Sequence, residues 1–137
     1  MERKKDLNMS FEEAVRVFSY GRAVVMFRKR LTADFWEKTT IRQQVEIYCA
    51  AAGMAGNHEF TQMILLKLAS TRLDFSEWRN VYDWALAKSD LQALAISKML
   101  ELASTVEQWQ VVYLLGPSDG DHKKIALKKI EQLAAVS

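Results

Sequence analysis

Residues 74–82 read DFSEWRNVY, and residues 105–113 read TVEQWQVVY. At a shift of 31, Trp78 falls on Trp109, Val81 on Val112 and Tyr82 on Tyr113. Each stretch opens on a residue that can cap a helix, Asp74 or Thr105, followed three positions later by Glu77 or Gln108. That is the capping box: the first side chain accepts from the backbone of the third helical residue, whose own side chain reaches back, so two otherwise unpaired N–H groups are satisfied. Behind the box, Phe75, Trp78, Val81, Tyr82 and Ala85 recur at steps of three and four, one apolar stripe on a helix.

The same shift continues downstream without a gap, placing Asp90 on Asp121, Ala95 on Ala126, Lys98 on Lys129, Leu102 on Leu133 and Ala103 on Ala134. A second helix therefore follows the first in each copy. Its stripe of Ala95, Ile96, Met99, Leu100, Leu102 and Ala103 is broad enough to meet neighbours on two sides. Upstream, a shift of 34 lays Thr40, Ile41, Gln43, Ile47 and Tyr48 on Asp74, Phe75, Glu77, Val81 and Tyr82, and Leu68 and Ala69 on Leu102 and Ala103. In this third copy Gln44 stands where the others have tryptophan. Breaks between paired helices are expected at 53–57, 88–90 and 116–121, the last holding the single proline, Pro117.

A helical hairpin cannot bury its apolar face alone, so three in a row predict an all-α chain, an α-α superhelix of three hairpins of about 31 to 34 residues. Over residues 40–135 the pattern resembles the helical-repeat architecture that includes tetratricopeptide and HEAT proteins. It points to no specific family, since aligning Trp78 with the tetratricopeptide tryptophan puts Tyr82 where glycine belongs and Lys98 where a buried aromatic belongs. The expected organisation is a single domain over 1–137: a disordered start over 1–9, an N-terminal helix and short turn over 10–39, and hairpins at 40–73, 74–104 and 105–135.

The N-terminal helix is expected to start at Ser10, boxed by Glu13, and to run to about Leu31. Phe11, Val15, Phe18, Val25, Met26 and Phe27 make it apolar on one side, with Val17 and Val24 opposite, more than three hairpins can cover. A homodimer through residues 11–31 follows as an expectation, with Phe11, Val15, Phe18, Val24 and Val25 as the self-association residues. Asp34 with Glu37 offers a further helix start around Phe35 and Trp36.

Composition narrows the function classes. Of 137 residues, five are Gly and one is Pro, too few turn formers for a many-hairpin β domain, and one cysteine, Cys49, allows no disulfide framework. The net charge of +2 is low for a dedicated nucleic-acid binder, although eight basic residues against four acids leave +4 on residues 1–31 and −2 on the remainder. No run approaches the ~18 apolar residues of a membrane helix, and Glu12, Glu13 and Arg16 interrupt any signal-peptide core, so a cytoplasmic protein without membrane association is expected.

Candidate chemistry is sparse. His58 and His122 begin second helices two copies apart and read as solvated; Cys49 reads as a buried structural thiol. No phosphate loop, metal-binding helix motif or nucleophile elbow stands in the sequence, so no catalytic residue, metal or cofactor is expected. Between the apolar positions of the first helices lie Arg42, Glu46, Arg79, Asn80, Asp83 and Gln110, a mixed-charge row that stacking would line up, while Trp84 or Trp36 would be an aromatic anchor should either be displayed. Lys123, Lys124, Lys128 and Lys129 read as a solvated cap on the last helix. The expected function is a non-enzymatic interaction module, an adaptor or regulatory subunit that binds a protein or peptide. The alternative is a nucleic-acid-associated protein using those lysines with Arg28, Lys29 and Arg30.

Overall fold

The structure, a computed structural model, describes residues 9–115 and 120–136. The expected disordered start, Met9 apart, and Pro117 lie outside the described residues. All regular structure among the described residues is helical, with no strand. No helix among them is long and apolar enough to cross a membrane. The chain divides after Thr71 into two compact units, close to the expected boundary between the first and second hairpins.

The first unit holds α1 (Phe11–Val17), α2 (Tyr20–Met26), a 3-10 turn (Arg28–Arg30), α3 (Ala33–Lys38), α4 (Ile41–Ala52) and α5 (His58–Ala69). The single N-terminal helix expected to run from Ser10 to about Leu31 is corrected here. It breaks at Phe18 and Ser19, where Ser19 is extended and its hydroxyl accepts from the Arg22 N–H at 3.2 Å, starting a new helix. The physical reason lies in the excess of apolar side chains. Two short helices packed on each other cover what one straight helix would leave bare, and Phe11 meets Tyr20 and Phe27 edge to face at 6.3 and 5.8 Å. The second helix start also differs: Thr32 rather than Asp34 caps α3, accepting from Phe35 N–H at 3.4 Å, while Asp34 pairs with Lys38 at 3.0 Å on the exposed face.

Helix α4 packs on both α2 and α5. Its crossing with α2 needs Gly21, because a Cβ there would lie 2.8 Å from the Glu46 carbonyl oxygen and 3.1 Å from the Ala50 Cβ. The core of this unit is Ala14, Ala23, Val24, Val25, Val45, Ile47, Tyr48, Ala51, Ile64 and Leu68.

The second unit holds α6 (Phe75–Trp84), α7 (Asp90–Leu102), α8 (Val106–Leu114) and α9 (Asp121–Val136). Helix α6 packs on α7, α8 on α9, and α7 meets α8. The capping boxes that open the three hairpins are present, at Thr40 with Gln43, Asp74 with Glu77, and Thr105 with Gln108, whereas the box expected at Ser10 with Glu13 is reduced to the Ser10 hydroxyl accepting from the Glu13 N–H at 3.1 Å. Three core pairs related by the shift of 31 share environments: Trp78 is 1% exposed and Trp109 5%, Val81 and Val112 are buried, and so are Ala95 and Ala126. Helix α6 stops a residue short of the expected stripe, since Ala85 is extended and its N–H closes the helix on the Val81 carbonyl.

Candidate functional site

Gln44 is the residue that breaks the repeat, and the site forms around it. It stands on α4 where the equivalent residues of α6 and α8 are Trp78 and Trp109, and it is 8% exposed. Its amide orientation is fixed by a relay. The Thr39 hydroxyl donates to the Trp36 carbonyl at 2.7 Å, so it must accept from Gln44 Nε2, 3.1 Å away. Gln44 Oε1 then faces no donor and is buried. Such an acceptor costs about 1 to 3 kcal/mol relative to a paired one.

Gln44 lines a cleft of about 860 Å³ between α3 and α5. Trp36 forms one wall, half-buried, 5.2 Å from the Phe35 ring and 6.0 Å from that of Phe60. The Lys67 ammonium sits 5.6 Å from the centre of the Trp36 ring, a cation drawn to an aromatic face. Glu37 and Glu59 bring two exposed carboxylates to the lining, and Leu66, 69% exposed, lies bare on it. The sequence offers Trp36, with Trp84, as a partner anchor if displayed, but does not single out Gln44 as a site residue. The available signal was the polar residue standing where the repeat wants its largest apolar one.

The residues expected to bind a partner are all exposed, but on two units. Arg42 and Glu46 lie on α4; Arg79, Asn80, Asp83 and Trp84 share one face of α6; Gln110, the counterpart of Arg79, lies on α8. The Glu46 side chain is exposed, while its backbone carbonyl lies under the crossing of α2 on α4 at Gly21. Burial, with the Glu46 charge as a lesser cause, raises the Tyr20 phenol above its ordinary 10.0.

The self-association set requires correction. Val24 and Val25 are fully buried within the chain, spent on the core against α4, and Phe11 and Val15 are half-buried. Phe18 remains exposed with Val17, 62% exposed, and Met26, while the Arg22 guanidinium lies over the Phe18 ring at 5.4 Å.

His58 is exposed, as expected. His122 is not solvated: it is buried at the position equivalent to Leu91, and its Nε2 lies 2.8 Å from the Leu115 carbonyl oxygen, which can only accept, so Nε2 carries a proton. The contact ties the start of α9 to the end of α8. Lys123 adds a second tie, donating to the Tyr113 carbonyl at 2.6 Å with its ammonium 5.3 Å from the centre of that ring, so the solvated face expected of four lysines reduces to Lys124, Lys128 and Lys129. Cys49 is half-buried rather than buried. Among the described residues no group of three His, Cys, Asp or Glu could hold a metal ion. Compared with known proteins, the chain matches no family, no curated protein and no solved structure.

Proposed function

We propose that the chain is a non-enzymatic helical-repeat interaction module, an adaptor or regulatory subunit whose partner is a protein or peptide, and that residues 40–135 are three hairpins stacked as an α-α superhelix. The capping boxes and the matched burial of Trp78 and Trp109 support the repeat. The observation that carries the binding role is the cleft between α3 and α5, where a half-buried Trp36 stands beside the bare Leu66. An aromatic wall with one wet edge is the combination that interface anchors use. A cytoplasmic setting belongs to the same reading, since a single cysteine offers no disulfide framework of the kind an oxidising compartment favours.

Selection of a random-peptide display library on the immobilised full chain tests it. Peptides are expected to be enriched and to be lost on Leu66→Glu, a change at an exposed position that leaves the helical circular dichroism unaltered. No enrichment, or enriched peptides indifferent to that change, overturns the reading. Nucleic acid retained by the chain and released steeply by added salt would replace it with the rival reading through the α9 lysines.

A further inference from the structure

We propose that a small apolar pocket framed by α1, the 3-10 turn and α3 binds a short monocarboxylate with an aromatic or alkyl body. The body lies among Phe11, Phe27, Leu31 and Phe35, and the carboxylate meets the Arg30 guanidinium. This site is contained in the first unit and is lined by none of the residues of the α3–α5 cleft.

The apolar wall comes first. Each of its four side chains is half-buried, so each still offers a face to the pocket. The rings brace one another and their neighbours: Phe11 meets Tyr20 and Phe27 edge to face at 6.3 and 5.8 Å, and Phe35 meets Trp36 at 5.2 Å. The turn that carries Arg30 is pinned by its own backbone, the Arg30 N–H donating to the Phe27 carbonyl at 2.9 Å and the Leu31 N–H to the Arg28 carbonyl at 3.3 Å. The pocket is therefore formed before any ligand arrives. Its volume of about 200 Å³ holds one ring or a short chain, and lies below the roughly 300 Å³ at which sites for drug-sized ligands begin.

Charge decides the head group. Arg30 is the one polar residue on the lining, which carries no carboxylate. Its guanidinium is exposed and rests 5.2 Å from the centre of the Phe27 ring. Ion pairs among the described residues join Asp34 to Lys38 and Glu101 to Lys98, so none of these acids is spent on Arg30. Arg28 and Lys29, beside it on the turn, add to the positive field. A cation is repelled there, and a neutral apolar compound leaves the guanidinium as it was. A carboxylate gains two parallel N–H donors. The 5.2 Å between guanidinium and ring also sets the ligand's length, which two methylenes between carboxylate and apolar body span.

Titration of the full chain with 3-phenylpropionate, 3-phenylpropanol and 3-phenylpropylamine, followed in proton–carbon correlation spectra at the Leu31 methyl groups, tests the proposal. The acid is expected to shift those methyls saturably and to bind roughly fivefold more tightly than the alcohol, the upper end of what an exposed ion pair supplies, with the amine weakest. Arg30→Gln, a change at an exposed position, is expected to leave the helical circular dichroism unaltered and to make acid and alcohol bind alike. Equal binding of acid and alcohol to the wild type overturns the proposal, as does a preference for the acid that survives Arg30→Gln. Leu31 methyls that stay in place while the acid binds would put the ligand elsewhere on the chain and overturn it too, and the same holds if the acid does not bind at all.

Discussion

At position 21 a methyl group has nowhere to go. Gly21→Ala adds helix propensity, yet the new Cβ would press on the Glu46 carbonyl and Ala50, and backbone cannot step aside as a side chain can. A lower Tm is expected in a thermal melt; an unchanged or higher one would show that α2 can lift from α4 without loss. Tyr20, on the same helix, gives a pH signature. Its folded-state pKa is raised by burial and by Glu46, so the unfolded chain ionises first. The stability that the neutral phenol contributes is complete below about pH 10, the ordinary tyrosine value, and is lost as pH rises through the folded value. In melts between pH 8 and 11 the wild type is expected to lose stability relative to Tyr20→Phe toward the alkaline end, and a difference constant across that range would contradict the assignment. Among the repeat residues, Trp109→Ala should cost about 3 to 5 kcal/mol by chemical denaturation, the range for emptying a large aromatic site in a core.

The starts of α4, α6 and α8 were legible because a capping box is local, made by two residues three positions apart, although the same pattern at Asp34 with Glu37 gave way to a cap at Thr32. Thr105→Ala is accordingly expected to cost about 1 kcal/mol and to fray α8 at its first turn, visible as faster amide exchange at Glu107 and Gln108. The break between α1 and α2 was hidden for the opposite reason. Ser19 sits in an apolar run whose periodicity suits a helix, and only the advantage of folding that run against itself and onto α4 decides for a break. His122 was misread on similar grounds. A helix-start histidine looks solvated until its counterpart Leu91 is known to be core and the Leu115 carbonyl is seen to need a donor. The cleft was half legible, as the substitution of Gln44 for tryptophan was plain, but the Thr39 relay that leaves its oxygen unpaired is a matter of distances.

For the whole molecule, the apolar surplus that suggested a second copy is largely absorbed inside the first unit, and what remains for self-association is Val17, Phe18 and Met26. Val24→Asp is therefore expected to unfold that unit, whereas Val17→Asp should leave the circular dichroism intact and, in sedimentation at micromolar concentration, lower any dimer to monomer. A folded Val24→Asp protein would restore the surface reading of that helix. The packing pattern also bears on how quickly the chain finds its fold. Within the units, and apart from the reach of α2 over α3 to α4, the helices that pack on each other are sequence neighbours, α1 with α2, α4 with α5, α6 with α7, and α8 with both α7 and α9, and the starts of α4, α6 and α8 are set by residues three apart. Little chain must be looped before a contact forms, so stopped-flow refolding should be complete for most molecules within milliseconds.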